Sequence, residues 1–176
     1  MAVRPVLRLG DPRLRQVASP VPLDGFSDPQ LSSLITDLRE TMAAQDGAGL
    51  AAPQIGVPWR VVIVGIHQNP RYPEAPPIPE TVLINPLLSP MGTATQLGWE
   101  GCLSVPGLRG LVSRWQSLHL VWCDPLGEER EAVVEGFHAR VVQHECDHLD
   151  GVLFPDRLHD PLAFGFLEEL GAAGCL

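Results

Sequence analysis

The chain has 176 residues, 45% of them hydrophobic, which excludes a disordered chain and is enough to bury a sizeable core in one domain. Its 12 basic residues are scattered among 21 acidic ones, and the formal charge of −9 argues against a surface that grips nucleic-acid backbone or anionic lipid. No apolar run approaches the roughly 18 residues of a membrane span, and Met1 to Gly10 lacks the apolar stretch and cleavage site of a signal peptide, so the expected location is cytoplasmic.

In chain order, Asp11-Pro12 reads as the cap and first residue of a helical turn through Val17, stopped by Pro20 and Pro22. Ser27 or Asp28 then caps a helix that starts at Pro29. Leu31, Leu34, Ile35, Leu38 and Met42 give it the stripe of a surface helix packed on a core, ending near Ala44. Gly47 to Gly56 holds three glycines and a proline, which forbid a regular element. Its small residues suit either a plain connection or a backbone platform for a peptide-like ligand.

Trp59 to Ile66, β-branched from Val61 to Val64, predicts a strand. Residues 67–80 carry five prolines and predict an exposed, variable loop. Thr81 to Asn85 reads as a short strand closed by Pro86. Gln116 to Cys123 and Glu129 to Val134 predict an antiparallel hairpin around the turn Asp124-Pro125-Leu126-Gly127. A late helix follows, with Phe137, Val141, His144 and His148 on one face, Val142, Glu145 and Leu149 beside them, and Gly151 to end it. The last twenty residues carry a modest stripe (Leu162, Phe166, Leu167, Leu170) and fray over Gly171 to Gly174. The pattern is α+β: short, mostly antiparallel sheets around the late helix, an early amphipathic helix, and a single domain over 1–176.

His144-Glu145-x-x-His148 carries the chemistry. On a helix the two imidazoles lie one turn apart and can hold one metal ion, making this a metal-binding helix. Glu145 can then reach a water on that ion and act as general base. A catalytic metal takes a third protein ligand and keeps one position open. Downstream stand Asp150, Asp156, His159, Asp160, Glu168 and Glu169, none at a recognised metalloprotease spacing. Upstream stands Cys102, within Gly98-Trp99-Glu100-Gly101-Cys102-Leu103-Ser104-Val105-Pro106-Gly107. The four cysteines (102, 123, 146 and 175) show no C-x-x-C spacing, so each is a candidate thiolate ligand or a small buried apolar residue. A zinc endopeptidase on the same helix would need a downstream ligand. A closed structural site would need a fourth one such as Cys146, which lies about 200° round the helix from each histidine.

Three stretches, in order, resemble the peptide deformylases, metal-dependent amidases that remove the formyl group from the initiator methionine of new bacterial and organellar proteins. They are Gly47-Ala48-Gly49-Leu50-Ala51-Ala52-Pro53-Gln54, Glu100-Gly101-Cys102-Leu103-Ser104 and Gln143-His144-Glu145-Cys146-Asp147-His148-Leu149. The opening Arg8-Leu9-Gly10-Asp11-Pro12-Arg13-Leu14-Arg15 is also similar, so the resemblance spans nearly the whole chain.

The resemblance implies Cys102, His144 and His148 as ligands of one divalent ion. Fe(II) is the family's usual metal, and Zn(II), Ni(II) or Co(II) can occupy such a site. It implies Glu145 as the base, with Gln54 and the Leu103 backbone N–H as oxyanion donors. Gly49 and Gly107 would leave room for a strand-like substrate backbone. Ala48, Leu103, Phe137 and Val141 would line a methionine slot, Arg109 would contact the peptide, and Glu100 with Arg114 would form a buried ion pair. The expected partners are N-formylmethionyl peptides. With Glu168-Glu169 near the end and no basic residue after Arg157, ribosome contact would be transient and without a basic tail.

Overall fold

Val61–Ile66 shows no polar alternation because both of its faces are covered. In the computed structural model, which describes residues 3–67 and 72–176, this segment is β2 and is buried throughout. Val61 and Ile63 pack with Leu31, Leu34, Ile35, Leu38 and Met42 of helix α1 (Pro29–Ala44). Val62, Val64 and Ile66 pack with Ala139, Val141, Val142, Cys146 and Leu149 of helix α2 (Gly136–Leu149). A strand covered on both sides reads as an unbroken apolar run. Each such side chain contributes about 1.5–3 kcal/mol on burial. The start of α1 is as the sequence predicts, with the Asp28 carboxylate accepting from the Gln30 N–H at 2.8 Å and Pro29 in the first turn.

The strands form two antiparallel sheets. One has the order β1-β2-β3-β6-β7, built from Gly49–Ala51, Val61–Ile66, Ile78–Pro90, Ser117–Cys123 and Glu129–Glu135. The other has the order β4-β5-β8, built from Thr95–Cys102, Val105–Trp115 and Phe164–Phe166. The fold is α+β, and α2 contacts strands of both sheets. The β6–β7 hairpin closes on the expected Asp124-to-Gly127 turn. Beyond α2, Gly151 adopts φ +72°, and a Cβ there would lie 2.6 Å from the Arg15 carbonyl oxygen, so only glycine fits.

Several expectations are corrected. Gly47 to Gly56 does contain regular structure: β1 pairs with β2 through Gly49↔Val64 and Ala51↔Val62, and a 3-10 turn spans Ala52–Ile55. The small side chains permit close approach, and Pro53 sits in the first turn, where its missing N–H costs nothing. The strand expected to stop at Pro86 runs on as β3 to Pro90. A register shift between Ile84 and Leu87, with Asn85 at φ +52°, absorbs the proline in a bulge.

The loop over 67–80 is not merely surface. Ile78 is a buried strand residue, Tyr72 and Ala75 pack on the core, and 68–71 lie outside the described residues. The long β4–β5 hairpin was not predicted, because glycines at 98, 101, 107 and 110 mask its strands. The first turn spans only Pro12–Arg15 rather than reaching Val17. The C-terminal stripe is no buried helix face: Phe164–Phe166 is β8, α3 covers only Leu167–Ala172, and Leu162 is 90% exposed.

Candidate active site

From Ala139 to Leu149 every residue of α2 is buried, six of them polar or charged. Buried polar groups need partners, and most find them on β4 and β5. Gln143 exchanges two 3.0 Å hydrogen bonds with the Trp115 backbone. His144 Nδ1 lies 2.9 Å from Glu100 Oε2.

Glu100 is the hub. Arg114 grips both carboxylate oxygens at 2.9 Å, and Arg140 donates to Oε1 at 2.8 Å. Burial works against the charge, but the His144 and Arg114 hydrogen bonds hold this carboxyl far below the usual carboxylate range. An ionised carboxylate can only accept, so His144 Nδ1 carries the hydrogen and Nε2 is left free as a ligand atom. Arg114 Nη1 also donates to Asp147 Oδ2 at 2.6 Å, and Asp147 accepts from Arg157 Nη2 at 2.8 Å. The charges thus run unbroken from half-exposed Arg157 to His144. The sequence suggested only the Glu100–Arg114 pair.

Cys102, His144 and His148 come together, with potential ligand atoms within 4.8 Å of one another. Cys102 Sγ lies 3.2 Å from His148 Nε2 and accepts from the Ser104 N–H at 3.4 Å and Gln54 Nε2 at 3.5 Å. Burial alone would raise the thiol's pKa, but His148 and His144 pull it well below its usual value. A thiolate with two imidazoles suits a borderline divalent ion. Cys146 is outside the group, buried in the core between α2 and the larger sheet, as its angle on the helix requires.

Glu145 Oε2 and His148 Nδ1 are the buried side-chain polar atoms without a hydrogen-bond partner among the described residues. Burial pushes the Glu145 carboxyl up to about 7, against the pull of His144 and His148 and with the push of Cys102 and Glu100. A Cβ at Gly49 would fall 2.6 Å from Glu145 Cγ and 2.7 Å from Oε1, so glycine keeps this carboxylate in place. Gln54 is fixed as well: Oε1 accepts from the Ala51 N–H at 2.8 Å, which turns Nε2 towards Ser104 and Cys102. The donor set and the free carboxylate oxygen therefore fit a metal ion with an open position for water.

Ala48, Leu103, Phe137 and Val141 all line the pocket above this group, as do Gly49 and Gln54. Gly107 and Arg109 line an adjoining, mostly apolar groove that shares Tyr72, Trp99 and Phe137 with the pocket. The Arg109 guanidinium carbon stands 5.5 Å from the centre of the Tyr72 ring. Sequence reasoning missed Tyr72, Trp99, Ser104 and Arg140. Their one signal was proximity to the motifs, and Tyr72 had none.

Residues 3–163 match the family model of polypeptide deformylase. The chain belongs to the polypeptide deformylase family. It is 60% identical to peptide deformylase 1 of Prochlorococcus marinus strain MIT 9313 over 177 aligned residues, covering 100% of this chain and 91% of the relative. It is 55% identical to peptide deformylase 2 of Ralstonia nicotianae, with 96% and 94% covered. Among solved structures, the Met-Ala-Ser-bound class I type b peptide deformylase from Acinetobacter baumannii superposes with a TM-score of 0.86 at 41% identity, covering 89% of this chain and 99% of that one. The peptide deformylase from Thermotoga maritima gives 0.79 at 35% identity, with 91% and 100% covered. The deformylase family consists of hydrolases that remove N-formyl groups from nascent peptides, and with the Cys102, His144 and His148 group it supports a metal cofactor. No helix of the described residues is long and apolar enough to cross a membrane.

Proposed function

We propose that this chain is a single-domain, cytoplasmic metallo-amidase that removes the formyl group from N-formylmethionyl peptides and releases formate. The observation that carries the reading is the meeting of Cys102, His144 and His148 beside the buried Glu145 carboxylate oxygen, which has no hydrogen-bond partner among the described residues. A divalent ion held by these three residues, Fe(II) by the family resemblance, with Zn(II), Ni(II) or Co(II) able to substitute, supplies Lewis acidity to the attacking water and the formyl carbonyl.

Glu145 takes a proton from the water as its oxygen adds to the formyl carbon. The carbon–nitrogen bond then breaks and Glu145 returns the proton to the leaving amine, so formate and a free α-amine result. The Gln54 amide and the Leu103 N–H donate to the formyl oxygen as it gains charge. Gly49 at the start of β1 and Gly107 in β5 leave space for the peptide backbone, which adds as a short strand. Ala48, Leu103, Phe137 and Val141 take the methionine side chain, and Arg109 meets the peptide beyond it. The formal charge of −9 does not favour nucleic acid as a partner.

Gln54→Ala should keep the base and lose one oxyanion donor, lowering kcat by about 10²–10³ with a smaller change in KM. Steady-state kinetics with formyl-Met-Ala-Ser checks this. Glu100→Gln should weaken metal binding by about 10–100-fold, because His144 loses the charged partner that orients it. It should also destabilise the fold by about 3–5 kcal/mol, since Arg114 and Arg140 lose a buried counter-charge. Chelator competition and thermal melting read the two effects separately.

The endopeptidase alternative fares worse. Asp150 pairs with Arg60 and Asp156 with Arg15, and no downstream side chain joins the group among the described residues. Formate release from formyl-Met-Ala-Ser, measured beside cleavage of an acetyl-capped peptide, separates the two readings. Formate from the first and no cleavage of the second is expected; internal cleavage without formate would overturn the proposal.

A further inference from the structure

Arg140 stands on α2 one turn before His144, with its side chain only 10% exposed. Nη1 donates to Glu100 Oε1 at 2.8 Å and to the carbonyls of Val112 at 3.0 Å and Gly98 at 3.3 Å. Nη2 donates to the Gln96 carbonyl at 2.6 Å. Gly98 and Val112 are opposite one another in the β4–β5 register, so the guanidinium locks α2 onto both strands of the hairpin.

Gly98 is the condition for that position. A Cβ there would lie 2.8 Å from Arg140 Cζ and Nη2, closer than side-chain atoms approach. The guanidinium is tethered at each of these acceptors and cannot swing aside as an exposed arginine would. Arg140 is also part of the pocket wall, together with Trp99, Phe137 and Val141.

We propose that Arg140 is the floor of the methionine pocket and sets the length of side chain accepted there. This rests on the deformylase reading of the site. The donors of Arg140 are largely engaged by protein acceptors, so it can offer the pocket a weakly hydrated, planar group. A thioether or hydrocarbon chain can pack on such a group without breaking those bonds. A longer chain has to displace a group held by several hydrogen bonds. A cationic side chain meets a like charge. Neither Phe137 nor Val141 supplies that second discrimination.

The test compares wild type, Arg140→Leu and Gly98→Ala on formyl-X-Ala-Ser, where X is norvaline, methionine or 2-aminooctanoate. kcat/KM is measured for each, and calorimetry measures binding of the deformylated peptides. Ratios between peptides within one variant cancel any general loss of metal through the Glu100 network. Arg140→Leu opens the floor and should raise the 2-aminooctanoate-to-methionine ratio at least about tenfold, the scale on which an apolar pocket discriminates length. Gly98→Ala keeps the arginine but forces its guanidinium off the Gly98 and Gln96 carbonyls and towards the pocket, and should raise the norvaline-to-methionine ratio instead.

Ratios within about twofold of wild type in either folded variant would overturn the proposal. If Arg140→Leu does not fold, Gly98→Ala decides alone. A wild type that released no formate, yet bound Met-Ala-Ser in preference to the longer peptide with both variants shifting that preference as stated, would sink the deformylase reading and support the floor.

Discussion

Glu145→Gln is expected to hold one metal per chain and bind peptide normally while turnover falls by at least about 10²–10⁴, the usual contribution of a general base. The amide is nearly isosteric with the carboxylate, and Glu145 is not one of the three residues whose ligand atoms converge. Its Oε2 has no hydrogen-bond partner among the described residues, so the substitution breaks no structural bond at that atom. What it removes is the carboxylate that takes the proton from the water, in a place where burial favours its protonated form more than solvent would. Glu145→Asp should fall almost as far, because the shorter side chain withdraws the carboxylate from the attacking water. Near wild-type kcat in Glu145→Gln with metal bound would mean that another base serves the water. Loss of metal in that variant would make Glu145 structural instead.

Cys102→Ala should abolish both stoichiometric metal and formate release while leaving a folded protein. The Cys102 side chain packs in a small cluster with Val105, Val112 and Phe154, away from the two larger cores, so its loss leaves a modest cavity. Metal that binds only the folded state stabilises it. Chelation should therefore lower the melting temperature of the wild type and leave that of Cys102→Ala unchanged. Cys146→Ala is the control: it should lose some packing stability on the core side of α2 and keep its metal. Full activity in Cys102→Ala, or an equal chelator effect on both proteins, would remove the cysteine from the ligand set.

Where hydrophobic period and caps agree, the sequence was enough to place α1, α2 and the β6–β7 hairpin. It failed where glycines serve close approach rather than turns. Gly98 makes room for Arg140 and Gly110 for Leu158, and both sit inside paired strands. The histidine pair was legible because its spacing is local to one helix. The third ligand needed the family resemblance, since nothing local ties Cys102 to a helix that begins 34 residues later (136 − 102). The ion-pair chain was illegible beyond its first link, because Arg140, Asp147 and Arg157 join partners from separate elements. Tyr72 reaches the pocket from a proline-rich stretch whose composition reads as plain surface.

The most direct test of the central claim is one anaerobic preparation assayed for metal content and for formate release from formyl-Met-Ala-Ser, before and after chelation and stepwise return of Fe(II). The account predicts that activity vanishes with the metal and returns in proportion to it, levelling at one ion per chain. Full formate release from metal-free protein would contradict it, as would one bound ion per chain with no formate released.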